Sequence, residues 1–362
     1  MSQTALLCPV EFRSVVAKNR MAVSPMCQYS AIEGLGQDWH LQNLGAKAAG
    51  GAGIVFTEAT HVSPNGRITL GCLGLWDDAQ EAFAARLVAL IASAGAVPGI
   101  QIAHAGRKAS SLRPWNGGGF VAPDSEGGWL PVAPSAKAFT PDRPVPHELS
   151  VVEIDEIVTD FARTAGRARR AGYQILEIHA AHGYLLHSFL SPVTNLRSDR
   201  YGGSAARRAR ALMDVIDAVR AEWPLELPLF VRLSCVDWVC GGLTINDSVQ
   251  LVTWLKARKD VDLIDCSSGG ISPQQNVPSI HPGYQVPFAE AIRREAGLAT
   301  GAVGMIRSAE LAAEVIANGR ADLVLLGRIL LADPGWPRRA AAQLGEPMLD
   351  LLPQYQRAAP AI

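Results

Sequence analysis

Eight short apolar runs constrain this chain more than any other feature of its sequence. They cover residues 21–25, 53–57, 97–103, 174–178, 227–233, 261–266, 298–303 and 323–326. Each is too short for a buried helix, several are rich in Val and Ile, and Gly or Pro bounds them. Uninterrupted apolar runs of this length mark strands covered on both faces, because neither face then needs polar residues. Helical patterns separate them. Residues 79–94 are rich in Ala and Leu and stop at Gly95. Residues 150–171 open on Ser150 and Glu153, the spacing of a capping box, and stop at Gly172. Residues 205–223, 246–256, 287–295 and 308–318 follow the same scheme. Eight strands alternating with helices predict an α/β fold of the (β/α)8 TIM-barrel type. An open doubly wound sheet competes, but no G-x-G-x-x-G follows the first strand.

No linker and no second composition regime interrupt residues 1–362, so one domain is expected. One connection is out of proportion. Residues 105–149, rich in Pro and Gly, lie between the third strand and its helix. On a barrel such a loop sits at the rim that carries the active site, so it is read as a lid holding a short hairpin. The 33 basic and 34 acidic residues leave a net charge of −1, which gives no electrostatic case for nucleic acid or an anionic membrane. Six cysteines (Cys8, Cys27, Cys72, Cys235, Cys240, Cys266) contain no C-x-x-C pair. Zinc-ribbon and iron–sulfur spacings are thereby excluded, and reduced thiols are the default. No run approaches the roughly 20 apolar residues of a membrane helix, and no signal peptide is read, so a cytoplasmic protein is expected.

In barrels the chemistry lies just beyond the C-terminal ends of the strands. After strands seven and eight stand Gly301-Ala302-Val303-Gly304 and Gly327-Arg328. Glycines let backbone N–H groups approach an anion, and Arg adds a bidentate charge, so these loops predict a phosphate site. After strand four stand His179, His182 and Tyr184. Two histidines three apart could bind zinc with Glu58, Glu177 or Asp265, but no H-E-x-x-H spacing exists, and no metal is expected. They could be core histidines, or a pair of donors aimed at a developing oxyanion. Tyr184 stays protonated at pH 7 and can donate a proton to a carbanion. Arg232 is a permanent cation inside an apolar strand and requires an anion, either Asp237 or a ligand. Cys27 follows Pro25-Met26 at the end of strand one, where a packed thiol is the plain alternative to a functional one.

Together these pieces resemble the old yellow enzyme family of flavin-dependent ene-reductases, and within it the thermophilic-like branch of NADPH dehydrogenases. The matching segments are Ser24-Pro25-Met26-Cys27-Gln28-Tyr29, His104-Ala105-Gly106-Arg107-Lys108 and His179-Ala180-Ala181-His182-Gly183-Tyr184-Leu185. Arg200-Tyr201-Gly202-Gly203-Ser204, Ser267-Ser268-Gly269-Gly270 and Leu326-Gly327-Arg328 complete the set, in the family's order.

The resemblance implies a (β/α)8 barrel that holds FMN non-covalently and takes NADPH or NADH as reductant. It implies that Ser24, Pro25, Met26 and Cys27 line the flavin, with Ala59 beside its N5 edge and Gln101 on its pyrimidine ring. It implies Arg232 near N1 and O2, and Gly304, Gly327 and Arg328 on the phosphate. His179 and His182 would hold the carbonyl or nitro oxygen of an activated alkene, Tyr184 would donate the proton, and Tyr29 and Lys108 would line the substrate pocket. The implied reaction is ping-pong reduction of an activated C=C bond of α,β-unsaturated carbonyl or nitro compounds, with hydride passing from flavin N5. In this branch the chains form homo-oligomers, dimers or tetramers, and a C-terminal arginine reaches a neighbouring site; here Gln354-Tyr355-Gln356-Arg357 resembles that tail. A flavin-free phosphate-binding lyase or aldolase is the alternative. It would need a Schiff-base lysine on a strand or a metal, and no strand carries a Lys.

Overall fold

The computed structural model describes residues 4–346 and 351–358; the ends of the expected domain at 1–3 and 359–362, and residues 347–350, lie outside the described residues. Eight parallel strands close into one barrel: β1 (Met21–Val23), β2 (Ile54–His61), β3 (Val97–Ala103), β4 (Ile175–Ala180), β5 (Leu229–Ser234), β6 (Leu263–Ser267), β7 (Ala299–Ala302) and β8 (Leu323–Leu326). Each strand pairs with its neighbours in sequence, and β8 pairs with β1. β1 to β6 and β8 are buried at every position, and β7 at all but its first residue, as the apolar runs require.

A main helix follows each strand: α1 (Asp38–Ala49), α2 (Asp78–Ser93), α3 (Val151–Ala171), α4 (Arg210–Glu222), α5 (Ile245–Arg258), α6 (Val286–Glu295), α7 (Ala309–Ala317) and α8 (Trp336–Gln343), with short helices at Leu185–Leu190 after β4 and Arg328–Ala332 after β8. The cap signals hold. Ser150 Oγ accepts from Glu153 N–H while the Glu153 side chain returns to Ser150, and Gly172 ends α3 at φ 94°. α1 opens on a capping box of Gln37 and His40 rather than Ser or Thr with Glu, and α8 opens on Gly335 with no side-chain cap, so neither carries such a signal in the sequence. The expected helix over 205–223 is broken into Ala205–Arg208 and α4.

A hairpin of Val10–Phe12 and Val15–Ala17 plugs the N-terminal end of the barrel. Phe12 meets Phe230 edge-on at 5.1 Å within a cluster that includes Ile54, Val97, Ile175 and Leu263, all near strand starts. That end is filled with side chains, so the opposite rim is left for chemistry.

Between β3 and α3, residues 110–121 form the expected short hairpin, with Leu112 N–H donating to Gly119 O and Val121 N–H to Ser110 O. Further along, Val132–Ala133 pairs in parallel with His147–Glu148, which fastens the end of the segment to the start of α3.

Candidate active site

A cavity of about 240 Å³ opens on the C-terminal rim, lined by His182, Ser267, Gln285, Gly304, Gly327 and Arg328 among others. It joins the strand-seven and strand-eight loops to His182. Gly304 adopts φ 129°, where only glycine is at ease, and a Cβ there would stand 3.1 Å from the Gln285 Cβ. A Cβ on Gly327 would meet Met26 Sδ at 3.4 Å. Arg328 is exposed beside them.

The end of β1 lies beside the strand-eight loop. Ser24 N–H donates to Leu326 O, which continues the β8–β1 ladder, and Ser24 Oγ accepts from Arg232 Nη2 at 3.2 Å. Pro25 cannot donate to a ladder, and the strand ends at Val23 rather than at residue 25. Cys27 and Tyr29 gather with Tyr184 around buried Ile68, Cys72, Ala105 and Ala109. Burial, with Cys72 and Glu58 adding to it, holds the Cys27 thiol well above its usual range, so it is a thiol and not a thiolate. Ala59 is buried within β2, just past a bulge between Thr57 and Ala59, so β2 runs four residues beyond its expected end.

Below the rim lies a polar layer inside the barrel. Gln101 Nε2 donates to Glu177 Oε1 at 2.7 Å, and Arg232 Nε stands 3.0 Å from Asp265 Oδ2. Asp265 is the ladder partner of Arg232. Asp237 is therefore not the counter-ion of Arg232. Its oxygens accept from His187 Nε2 at 2.8 Å, Ser191 Oγ at 2.6 Å and Leu243 N–H at 2.8 Å instead. Two fully buried carboxyl groups lie in this layer with one guanidinium, and among the described residues Glu177 Oε2 and both Asp265 oxygens lack a conventional donor. Burial, and then the neighbouring Asp265, drives Glu177 far above the usual carboxylate range. Glu177 therefore keeps its proton at neutral pH and can donate it to Asp265, so the layer is one cation, one anion and one neutral acid.

His179 is the fifth residue of β4, and His182 sits in the following turn at φ 59°. Gly183 N–H donates to His187 Nδ1 at 2.8 Å, so buried Asp237 holds that turn through His187. Burial drives both His179 and His182 well below their usual pKa, with His182 and Arg232 adding to the effect on His179 and Arg232 and Lys108 to that on His182. Both rings are neutral near pH 7. Ala181 N–H donates to His179 Nδ1 at 3.2 Å, which puts the His179 proton on Nε2. His182 Nε2 lies 2.7 Å from Ser267 Oγ, and its Nδ1 3.3 Å from His179 Nε2. The Tyr184 ring stands edge-on to His179 at 5.0 Å, and burial keeps its hydroxyl protonated.

Lys108 Nζ donates to His182 O at 2.9 Å and to Gly270 O at 3.2 Å, and lies 5.2 Å from the Tyr184 ring. Burial, then Arg107 and Arg143, lowers its pKa from 10.5 to about 8. The folded chain thus releases this proton more readily than the unfolded chain does. Stability is expected to rise as pH climbs from about 8 towards 10.5, because the unfolded state binds the extra proton there. Guanidinium unfolding at pH 7.5 and 9.5 should show this gain in wild type and a smaller one in Lys108→Met. Equal gains would mean that Lys108 is not the group.

Ser24, Cys27, Tyr29, Lys108, His179, His182 and Tyr184 thus gather at one rim above Arg232 and Gln101, with Gly304, Gly327 and Arg328 at its other end. Arg357 stands apart, exposed on a short turn at Pro353–Ala358. Sequence reading weighed Glu177 and Asp265 only as zinc ligands and Ser267 only within a matching segment, and gave none of them its place in this site. An acid inside an apolar strand next to the one carrying Arg232 was a usable signal, by the same burial cost that singled out Arg232.

A parallel barrel with a glycine-bounded cavity at its rim, next to paired neutral histidines and a protonated tyrosine, defines a cofactor-dependent barrel enzyme. The chain belongs to the NADH:flavin oxidoreductase / NADH oxidase family, whose pattern matches residues 5–346. It is 46% identical over 356 residues to an NADPH dehydrogenase of Listeria monocytogenes, with 98% of each chain covered. The structure of morphinone reductase superposes with a TM-score of 0.78 at 27% identity, covering 98% of this chain and 93% of that one. That of a 2-naphthoyl-CoA reductase superposes with a TM-score of 0.84 at 25% identity, covering 96% of this chain and 53% of the other. The protein is accordingly a flavin oxidoreductase of the old yellow enzyme family, using FMN and a nicotinamide reductant. Among the described residues no helix is long and apolar enough to cross a membrane.

Proposed function

We propose that the protein is an ene-reductase, which uses NADPH or NADH to reduce the activated C=C bond of α,β-unsaturated carbonyl or nitro compounds. The observation that carries this reading is the single rim that joins the Gly304–Gly327–Arg328 cavity to two neutral histidines and a protonated tyrosine. The residues fit a flavin: a glycine-bounded anion cavity, and a buried cation in Arg232 at the barrel centre. FMN, when bound, supplies hydride transfer in both half-reactions.

In this reading Gly304, Gly327 and Arg328 hold the FMN phosphate without a covalent bond, and Ser24, Pro25, Met26, Cys27 and Ala59 line the ring. Gln101 keeps its carbonyl and one N–H for the pyrimidine edge, because Glu177 takes only one donor. Arg232 supplies the positive charge near N1 and O2. His179 Nε2–H and an N–H of His182 hold the substrate oxygen and stabilise the negative charge that develops there. Tyr29 and Lys108 wall the pocket, residues 105–149 cover it as a lid, and Arg357 of a neighbouring copy in a homo-oligomer completes it. Tyr184 gives its proton to the α-carbon, and the Cys27 thiol tunes the flavin without a covalent step.

Purified protein should carry a yellow chromophore that NADPH or NADH bleaches without oxygen and an enone restores. Colourless protein that FMN cannot reconstitute would end this reading. Tyr184→Phe should slow enone reduction while leaving bleaching by NADPH nearly intact, since the hydroxyl acts only when the α-carbon takes its proton. Stopped-flow spectroscopy of each half-reaction decides this, and equal losses in both would assign Tyr184 to packing.

A further inference from the structure

Three cations surround one aromatic ring at the rim, and none has a carboxylate partner among the described residues. The ring of Phe139 has Lys108 Nζ at 4.8 Å, the Arg107 guanidinium at 5.5 Å and that of Arg143 at 5.8 Å. Many arginines elsewhere are ion-paired, among them Arg167 and Arg170 with Glu81, Arg197 with Asp199, and Arg258 with Asp260. Around Phe139 the donors reach neutral acceptors. Arg107 donates to the carbonyls of Lys137, Ala138 and Ile271, Lys108 to those of His182 and Gly270, and Arg143 to Ser111 Oγ. Arg107 is 5% exposed, and among the described residues its Nε has no partner; neither has the buried Nη1 of Arg143. The nearest acid acting on the group is Asp142, which is exposed and precedes Arg143 in the chain.

The aromatic face and carbonyl dipoles offset part of the cost of gathering this charge, but none of them neutralises it. Arg107 and Phe139 line a cavity of about 310 Å³ together with Lys137, Thr194 and Ile271, while Lys108 and Arg143 stand against the Phe139 ring. Lys108 ties that cavity to the reaction site, because it lies 4.8 Å from the Phe139 ring and 5.2 Å from the Tyr184 ring.

We propose that Arg107, Lys108 and Arg143 around Phe139 form an anion-binding subsite beside the reaction site, which takes a carboxylate or phosphate carried by one of the two reacting partners. The inference rests on the ene-reductase reading and narrows it to reactants with a negative group remote from the reacting bond. A bound anion would offset the burial, and after it the Arg107 and Arg143 charges, that lower Lys108, which is how an unsatisfied charge cluster gains from its ligand. Two sources share this chemistry: an acidic substituent on the alkene, or the 2′-phosphate that distinguishes NADPH from NADH.

Arg143→Gln tests this in the FMN-loaded enzyme, with Arg143→Lys as rescue. Arg107 is avoided because its three carbonyl bonds hold the rim together. The probes are an enone bearing a carboxylate, its methyl ester, NADPH and NADH. Arg143→Gln should raise KM for the anionic member of at least one pair about tenfold, the loss of one charge-assisted hydrogen bond, with less than a twofold change for the neutral or dephosphorylated member. Arg143→Lys should restore most of it. Loss of discrimination in the enone pair assigns the alkene as the source, and in the nicotinamide pair the reductant. Changes below twofold in all four, or equal changes within both pairs, overturn the subsite. If wild type reduces neither enone, the ene-reductase reading fails by itself. Calorimetric titration with inorganic phosphate then still reads the subsite: weaker binding in Arg143→Gln supports it, and identical heats reject it.

Discussion

Asp265→Ala should destabilise the fold by about 3–5 kcal/mol, the cost of leaving a buried charge without its partner. Arg232 is 5% exposed and keeps only Ser24 Oγ once Asp265 is gone. Glu177→Gln should cost about 1 kcal/mol or less, although Glu177 is equally buried. Glu177 is already the neutral member of the layer, and a glutamine can accept from Gln101 and donate to Asp265. The two variants also differ with pH. Wild-type Glu177 holds a proton that the unfolded chain releases in the usual carboxylate range. Rising pH therefore penalises the fold, first where the unfolded group ionises and until the folded one does, and Glu177→Gln should remove that slope. Guanidinium midpoints of both variants across pH 5 to about 8 test this. A larger loss in Glu177→Gln than in Asp265→Ala would mean that Glu177, not Asp265, is the counter-ion of Arg232.

His179→Ala and His182→Ala should each weaken binding of enones and phenols to the FMN-loaded enzyme by roughly 10- to 150-fold, the value of about 1.5–3 kcal/mol for a donor to a charged oxygen. Bleaching by NADPH should suffer less. Both rings are held neutral, so the binding should show no titration near the usual histidine pKa. A bell centred there would mean that one ring acts as imidazolium. Ser267→Ala should reproduce part of the His182 loss, because Ser267 Oγ holds His182 Nε2 at 2.7 Å and sets how the ring presents its other nitrogen. Spectroscopic titration with a phenol reads all three. Wild-type affinity in both histidine variants would remove the pair from the oxyanion role.

Much of this architecture was legible in the chain. Strands buried on both faces cannot carry an alternating pattern, so eight continuous apolar runs are enough to mark the barrel. Capping residues such as Ser150 and Ser308 act on backbone within one turn, so sequence places α3 and α7 to within a residue or two. The glycines at 304 and 327 and the histidines at 179 and 182 are readable because strand ends in a barrel share one rim.

Pairings across the barrel were not legible. That Arg232 would meet Asp265, and that Asp237 would instead hold His187, depends on ladder register and on which way the loop after β5 folds. Neither is a local property of the chain. The bulge at Thr57/Ala59 shifts β2 by one residue and carries Glu58 and Ala59 into the strand, with no Gly or Pro to announce it. The unpaired cations around Phe139 are the clearest case, for Lys108 lies far along the chain from Phe139 and Arg143. Periodicity and caps are written within one turn or one strand, and the sequence alone determines them. The protonation of Glu177, the neutrality of both histidines and the charge around Phe139 come from burial beside residues distant in the chain. Only the folded barrel creates that burial, so only the tertiary structure decided them.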